Sequence, residues 1–106
     1  MAMFETSPIL LLGESPACAG ASRALVAQGF PVVRAEDVEG ASELAPALVI
    51  ADADAAREAT RWQGAPLILL AQIDHGTLPA VPCAELLSLP LRNELLVGAV
   101  KRLLAA

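Results

Sequence analysis

Aromatic side chains are nearly absent from this chain, with two phenylalanines, one tryptophan and no tyrosine among 106 residues. Without large rings the core must be aliphatic, and a 56% apolar content suits helices of small residues laid on a sheet and argues against disorder. Positive charge is also short. Seven Lys and Arg against twelve Asp and Glu leave a net charge of −5, so no basic stripe is available to follow a phosphate backbone and no nucleic-acid partner is expected. The longest apolar runs, such as Ile9 to Leu12 and Leu67 to Ala71, fall far below the roughly 20 residues that span a bilayer, so no membrane role is expected. The opening Met1-Ala2-Met3-Phe4-Glu5 has no basic segment and leads into a strand-like run, which makes a cytoplasmic location the expectation. Only two cysteines occur, Cys18 and Cys83, without metal-type spacing. They read as small hydrophobes in a reducing compartment. The length fits a single domain, 1–106, with one core.

What the chain does have is a series of short apolar runs separated by helix signals. The central run is Pro46-Ala47-Leu48-Val49-Ile50-Ala51-Asp52. It does not alternate polar with apolar residues, so it reads as a strand buried on both faces. It stops at a carboxylate. In open α/β sheets the crevice beyond the carboxyl ends of the strands is where ligands bind, which makes Asp52 the first candidate site residue.

In chain order, Pro8 to Leu12 is a first strand and ends at Gly13-Glu14. Ser15-Pro16 then reads as an N-cap followed by proline at the first helical position, where its missing N–H costs nothing. Cys18, Ala21 and Leu25 give that helix one inward stripe, and Gly29 is placed to close it. Phe30 to Arg34 is a second strand with its proline near the start, which suits an edge. Glu36, Asp37 and Glu39 form a solvated acidic surface, and Ala41 to Ala45 have room only for a helical stub before Pro46. After Asp52, residues 54 to 62 offer a short helix with Asp54 near its start. Pro66 to Ala71 is a fourth strand, Gln72 to Cys83 is broken by Gly76, Pro79 and Pro82, and Glu85 to Leu89 is a fifth strand. Leu91 to Leu104 is the clearest helix, with Leu95, Leu96, Ala99, Val100, Leu103 and Leu104 as its apolar stripe. Five strands alternating with helices predict a flavodoxin-like α/β three-layer sandwich, with a parallel sheet in the order 2-1-3-4-5.

Over about residues 8–104 the chain resembles the receiver domain of bacterial two-component response regulators. Pro46 to Asp52 resembles the family's third strand, whose terminal aspartate accepts a phosphoryl group. Ala65-Pro66-Leu67-Ile68-Leu69-Leu70-Ala71 resembles the fourth strand. Ser88-Leu89-Pro90-Leu91 with Asn93-Glu94-Leu95-Leu96 resembles the fifth strand and the start of the last helix. The resemblance makes Pro90 a candidate cis-proline. It would predict a full fourth helix, but Gln72 to Cys83 is too short and proline-broken for one, so the middle helices are expected to be shortened and the fourth truncated or missing.

Against that resemblance the departures are specific. Receivers carry two acidic residues after the first strand to hold Mg²⁺, a Ser or Thr ending the fourth strand, and a Lys before the proline after the fifth. Those positions here are Gly13-Glu14, Ala71 and Leu89. Magnesium needs octahedral oxygen coordination, so Glu14 with Asp52 would hold it weakly at best, and no cofactor is expected. Leu89 supplies no cation, although charge stabilisation is most of what a protein contributes to phosphoryl transfer. Ala71 supplies no hydroxyl.

Three readings follow. In the first, the chain is a degenerate receiver, a pseudoreceiver that works by protein contact without phosphorylation. Its partners would be a histidine kinase, a phosphotransfer protein or another regulator, with a homodimer as a further option. A mean hydropathy of +0.58 with so few aromatics leaves apolar surface for such contacts. In the second, Asp52 is an active phosphoacceptor with Glu14 and Mg²⁺, helped by Asp54. In the third, the loop from Gly13 to Gly20 ahead of a helix N-terminus receives a nucleotide or second messenger. Asp54 also reads as a helix cap, His75 as a solvated loop residue, and Trp62 as either core or a partner-surface candidate. No nucleophile triad, metal cluster or glycine fingerprint points to an enzyme, and no catalytic residue is assigned.

Overall fold

The computed structural model describes residues 7–35, 45–62, 64–71 and 83–105. Five parallel strands make one sheet: β1 (Ile9–Leu12), β2 (Val32–Arg34), β3 (Leu48–Asp52), β4 (Leu67–Ala71) and β5 (Glu85–Ser88). Their spatial order is β2-β1-β3-β4-β5, as the sequence predicts. Register fixes which residues reach the carboxyl edge. Leu12 pairs with Ala51 and Asp52 with Leu70, so Asp52 projects one residue past the end of β1.

The three inner strands, β1, β3 and β4, are buried along their whole length. That explains their uninterrupted apolar sequences, because side chains on both faces meet protein. Ile9, Leu11, Leu48, Ile50, Ile68 and Leu70 face two α-helices, α1 (Pro16–Ala27) and α2 (Asn93–Ala105). Leu10, Leu12, Val49, Ala51 and Leu67 face the other way, onto a 3₁₀ helix, Ala53–Trp62. β2 and β5 are edge strands with half-buried side chains.

α1 follows its sequence signals closely. The Ser15 side chain accepts a hydrogen bond from the Cys18 N–H at 3.3 Å, Pro16 opens the helix, and Gly29 closes it at φ +89°. Cys18, Ala21 and Leu25 are the buried stripe. In α2 the apolar stripe is narrower than the sequence suggests. Leu96, Ala99 and Val100 are buried, whereas Leu95 and Leu104 are 53% and 38% exposed. Only one face of α2 can meet the sheet, and the spacing of these two leucines turns them off it.

The helix expected over 54–62 is present but wound as 3₁₀ turns. Ala56, Ala59 and Trp62 are buried at intervals of three, which matches three residues per turn. Trp62 is a core residue, 8% exposed and packed with Leu10, Val49 and Leu67. This corrects its candidacy as a partner surface, since the indole is covered from within. The peptide bond between Leu89 and Pro90 is cis. Most of the stub expected at 41–45, and the run 72–82 with His75 and the shortened fourth helix, lie outside the described residues. Among the described residues no helix is long and apolar enough to cross a membrane.

Candidate functional site

β3 delivers Asp52 to the carboxyl edge of the sheet, and both neighbouring turns bend back onto its carboxylate. On one side the chain enters the 3₁₀ helix, and the Ala55 N–H donates to Oδ1 at 3.0 Å. On the other, the turn between β1 and α1 brings the Ser15 N–H to Oδ2 at 3.4 Å. The Cys18 thiol, one turn into α1, points at the same Oδ2 at 3.8 Å and at the Leu12 carbonyl at 3.5 Å. Asp52 is 6% exposed and is the only buried polar or charged residue among those described. Its charge is met by backbone dipoles, including those at the start of α1, where negative charge is favoured.

Burial comes first among the causes that hold the Cys18 thiol above its ordinary pKa of 9.0; the Ser15 hydroxyl opposes the shift and the Asp52 carboxylate adds to it. The thiol is therefore protonated at neutral pH, which makes it a donor to the carboxylate.

Gly13 sits directly against this carboxylate. Its φ of +123° belongs to the region that favours glycine, and a Cβ there would stand 2.7 Å from Asp52 Oδ1 and closer still to Oδ2. The position where the resemblance expects a second acid is thus occupied by the Asp52 carboxylate itself. The Gly13 carbonyl accepts a hydrogen bond from Arg34 Nη2 at 3.3 Å.

Above the carboxylate lies a cleft of about 450 Å³ lined by Gly13, Glu14, Ser15, Asp52, Asp54, Ala55 and Glu58. Glu14, Asp52 and Asp54 do come together, and Glu58 joins them. None of the described residues lining the cleft is basic. Arg34 donates to the Gly13 carbonyl and is not among the residues that line the cleft. Ala71 ends β4 as a buried methyl group. Leu89 packs against the core on the side of α1 and α2, so its side chain takes part in the hydrophobic layer and offers nothing to the cleft.

The donor set does not fit a resident magnesium ion. Both Asp52 oxygens already accept hydrogen bonds, Gly13 supplies no carboxylate, and among the described residues no group of three or more His, Cys, Asp or Glu is placed to hold a metal. The anion site imagined for a nucleotide is also changed by the structure. Gly20 lies inside α1 rather than in a loop, and the N–H of Ser15 at the helix start is aimed at Asp52. A residue of the chain already supplies the anion there.

Sequence reasoning missed four participants. Ser15 and Cys18 were legible only as a cap and a core residue, Glu58 only as one position of the short helix over 54–62, and Arg34 only as the end of a strand. Their roles here depend on contacts such as Cys18 to Asp52, 34 positions apart.

No protein-family model matches the sequence, and no curated protein does. Solved structures do match over nearly the whole chain. The chemotaxis response regulator CheY4 of Vibrio cholerae superposes with a TM-score of 0.68 at 19% identity, covering 93% of this chain and 99% of the other. A putative response regulator from Chloroflexus aurantiacus gives 0.72 at 18%, covering 96% and 100%. The receiver domain of the sensor histidine kinase PA1611 from Pseudomonas aeruginosa, solved with a magnesium ion in its active-site cleft, gives 0.72 at 17%, also covering 96% and 100%. At such identities the likeness shows the fold, which is the CheY-like receiver fold.

Proposed function

We propose that this chain of receiver fold is a pseudoreceiver in bacterial two-component signalling, working through protein contact without phosphorylation. It would act either alone or as a module of a hybrid kinase or regulator. The observation that carries this reading is the state of Asp52. Its carboxylate is buried, engaged by the N–H groups of Ser15 and Ala55, and set in the space a Cβ at position 13 would need. Phosphoryl transfer requires an exposed attacking oxygen and cations to spread the developing charge. Here both oxygens are already engaged by N–H groups, and the described cleft lining adds only Glu14, Asp54 and Glu58 as charged groups.

On this reading the chain is not an enzyme, and its output is the shape of its surfaces. Partners of the kind suited to the fold are a histidine kinase, a phosphotransfer protein or another regulator, in the cytoplasm. Incubation with Mg²⁺ and a small-molecule phosphodonor, followed by mass spectrometry of the peptide containing Asp52, tests it. No phosphoryl adduct and no stable beryllofluoride adduct is expected. A mass shift at Asp52 that disappears in Asp52→Asn would instead establish the chain as an active phosphoacceptor.

A further inference from the structure

The flank of the molecule formed by α1 and α2 holds a shallow groove of about 690 Å³, separate from the acidic cleft. Ala24 and Ala27 form its α1 wall, and Glu94, Val97, Gly98 and Lys101 its α2 wall. Gly98 is the informative residue. It lies in the interior of a thirteen-residue helix, where glycine costs about 1 kcal/mol relative to alanine. Among the described residues nothing calls for it, because a Cβ there would meet only the tip of Arg102 at 3.8 Å. The missing side chain leaves this face of α2 open to close approach by a backbone from outside.

The charges on the same face say what that neighbour is. Glu94 lies three residues before Val97 and Lys101 three residues after Gly98. An antiparallel copy of α2, related by a two-fold axis between Val97 and Gly98, therefore places Glu94 of each chain opposite Lys101 of the other. Lys101 has no ion-pair or hydrogen-bond partner among the described residues. Glu94 has only a loose contact with Arg92 at 3.6 Å, with both side chains more than 70% exposed. Both are free to re-pair at little cost. Leu104, 38% exposed, adds apolar surface to α2.

We propose that this flank is a self-complementary docking face and that its occupant is a second copy of this chain, paired antiparallel through α2 with Gly98 at the closest approach. Such a contact is isologous, so every favourable pair occurs twice. It goes beyond the pseudoreceiver reading and does not depend on it, since none of these residues lines the Asp52 cleft.

Sedimentation velocity of the 106-residue chain over a wide concentration range tests the pairing, with far-UV circular dichroism confirming that each variant is folded. The native chain is expected to dimerise with a micromolar dissociation constant. Glu94→Lys and Lys101→Glu, each placing like charges opposite one another twice, are expected to weaken the dimer at least about tenfold. An equimolar mixture of the two single variants is expected to recover it, because each then meets the opposite sign, and Gly98→Trp is expected to abolish it. The proposal is overturned by a native chain that stays monomeric up to about 1 mM, a concentration at which even weak association shows. It is equally overturned by a dimer indifferent to both charge reversals, or by a mixture of the two that remains dissociated.

Discussion

Asp52 and Gly13 have to be considered together, because each occupies the space the other would otherwise need. Gly13→Ala introduces a methyl group that cannot coexist with the carboxylate as placed, at a φ that penalises any side chain. A loss of about 2–4 kcal/mol in unfolding free energy is expected, read by urea titration. Asp52→Ala strands the buried Ala55 N–H and the partly buried Ser15 N–H. Its expected cost is about 2–6 kcal/mol, at about 1–3 for each of the two unpaired donors. Asp52→Asn keeps one acceptor oxygen and should cost less, a ranking that a solvent-exposed aspartate would not produce. Cys18 gives a test of a different kind. Burial raises its pKa, so its contribution to stability is intact below the unfolded value of 9.0 and is lost as pH climbs past that toward the folded one. Denaturant titrations between about pH 7 and 10 should show the advantage of the native chain over Cys18→Ala shrinking at the alkaline end. In alkylation at neutral pH, exposed Cys83 should react quickly and buried Cys18 only as the chain opens.

At the level of elements, what was legible in the sequence follows from how local the signals are. α1 could be read nearly complete, because its cap, its first proline and its closing glycine act within a few residues of one another. β1, β3 and β4 were legible because burial on both faces leaves an unbroken apolar run. The 3₁₀ helix was harder, since a run of alanines fits either helix type and only the interval of three ending at Trp62 distinguishes them. Trp62 anchors that element under the sheet, so Trp62→Ala is expected to cost about 3–5 kcal/mol by chemical denaturation. It should leave the α1–α2 flank, on the opposite face, able to dimerise. The site was legible in its position and not in its state. The apolar run pointed to Asp52, but whether the carboxylate faces solvent is decided by Gly13, 39 positions away and on another strand's exit turn.

Taken as a whole, the molecule separates its two candidate surfaces. The acidic cleft opens at the carboxyl edge of the sheet, whereas the groove between α1 and α2 lies along one of its faces. Salt should act on them differently. Raising ionic strength from about 0.1 M to about 1 M shortens the screening length from about 10 Å to about 3 Å, which should loosen a dimer joined by two exposed ion pairs. Light scattering across that range would register it, while the hydrogen bonds that hold the buried Asp52 carboxylate should keep the folded chain largely insensitive. The close packing of Gly13 on Asp52 also couples any redesign of the cleft. Placing an acid at position 13 by itself drives two carboxylates into one volume, and turning Asp52 outward by itself leaves two amides stranded. Each single change thus descends into an unstable valley, and only a coordinated pair of substitutions crosses it.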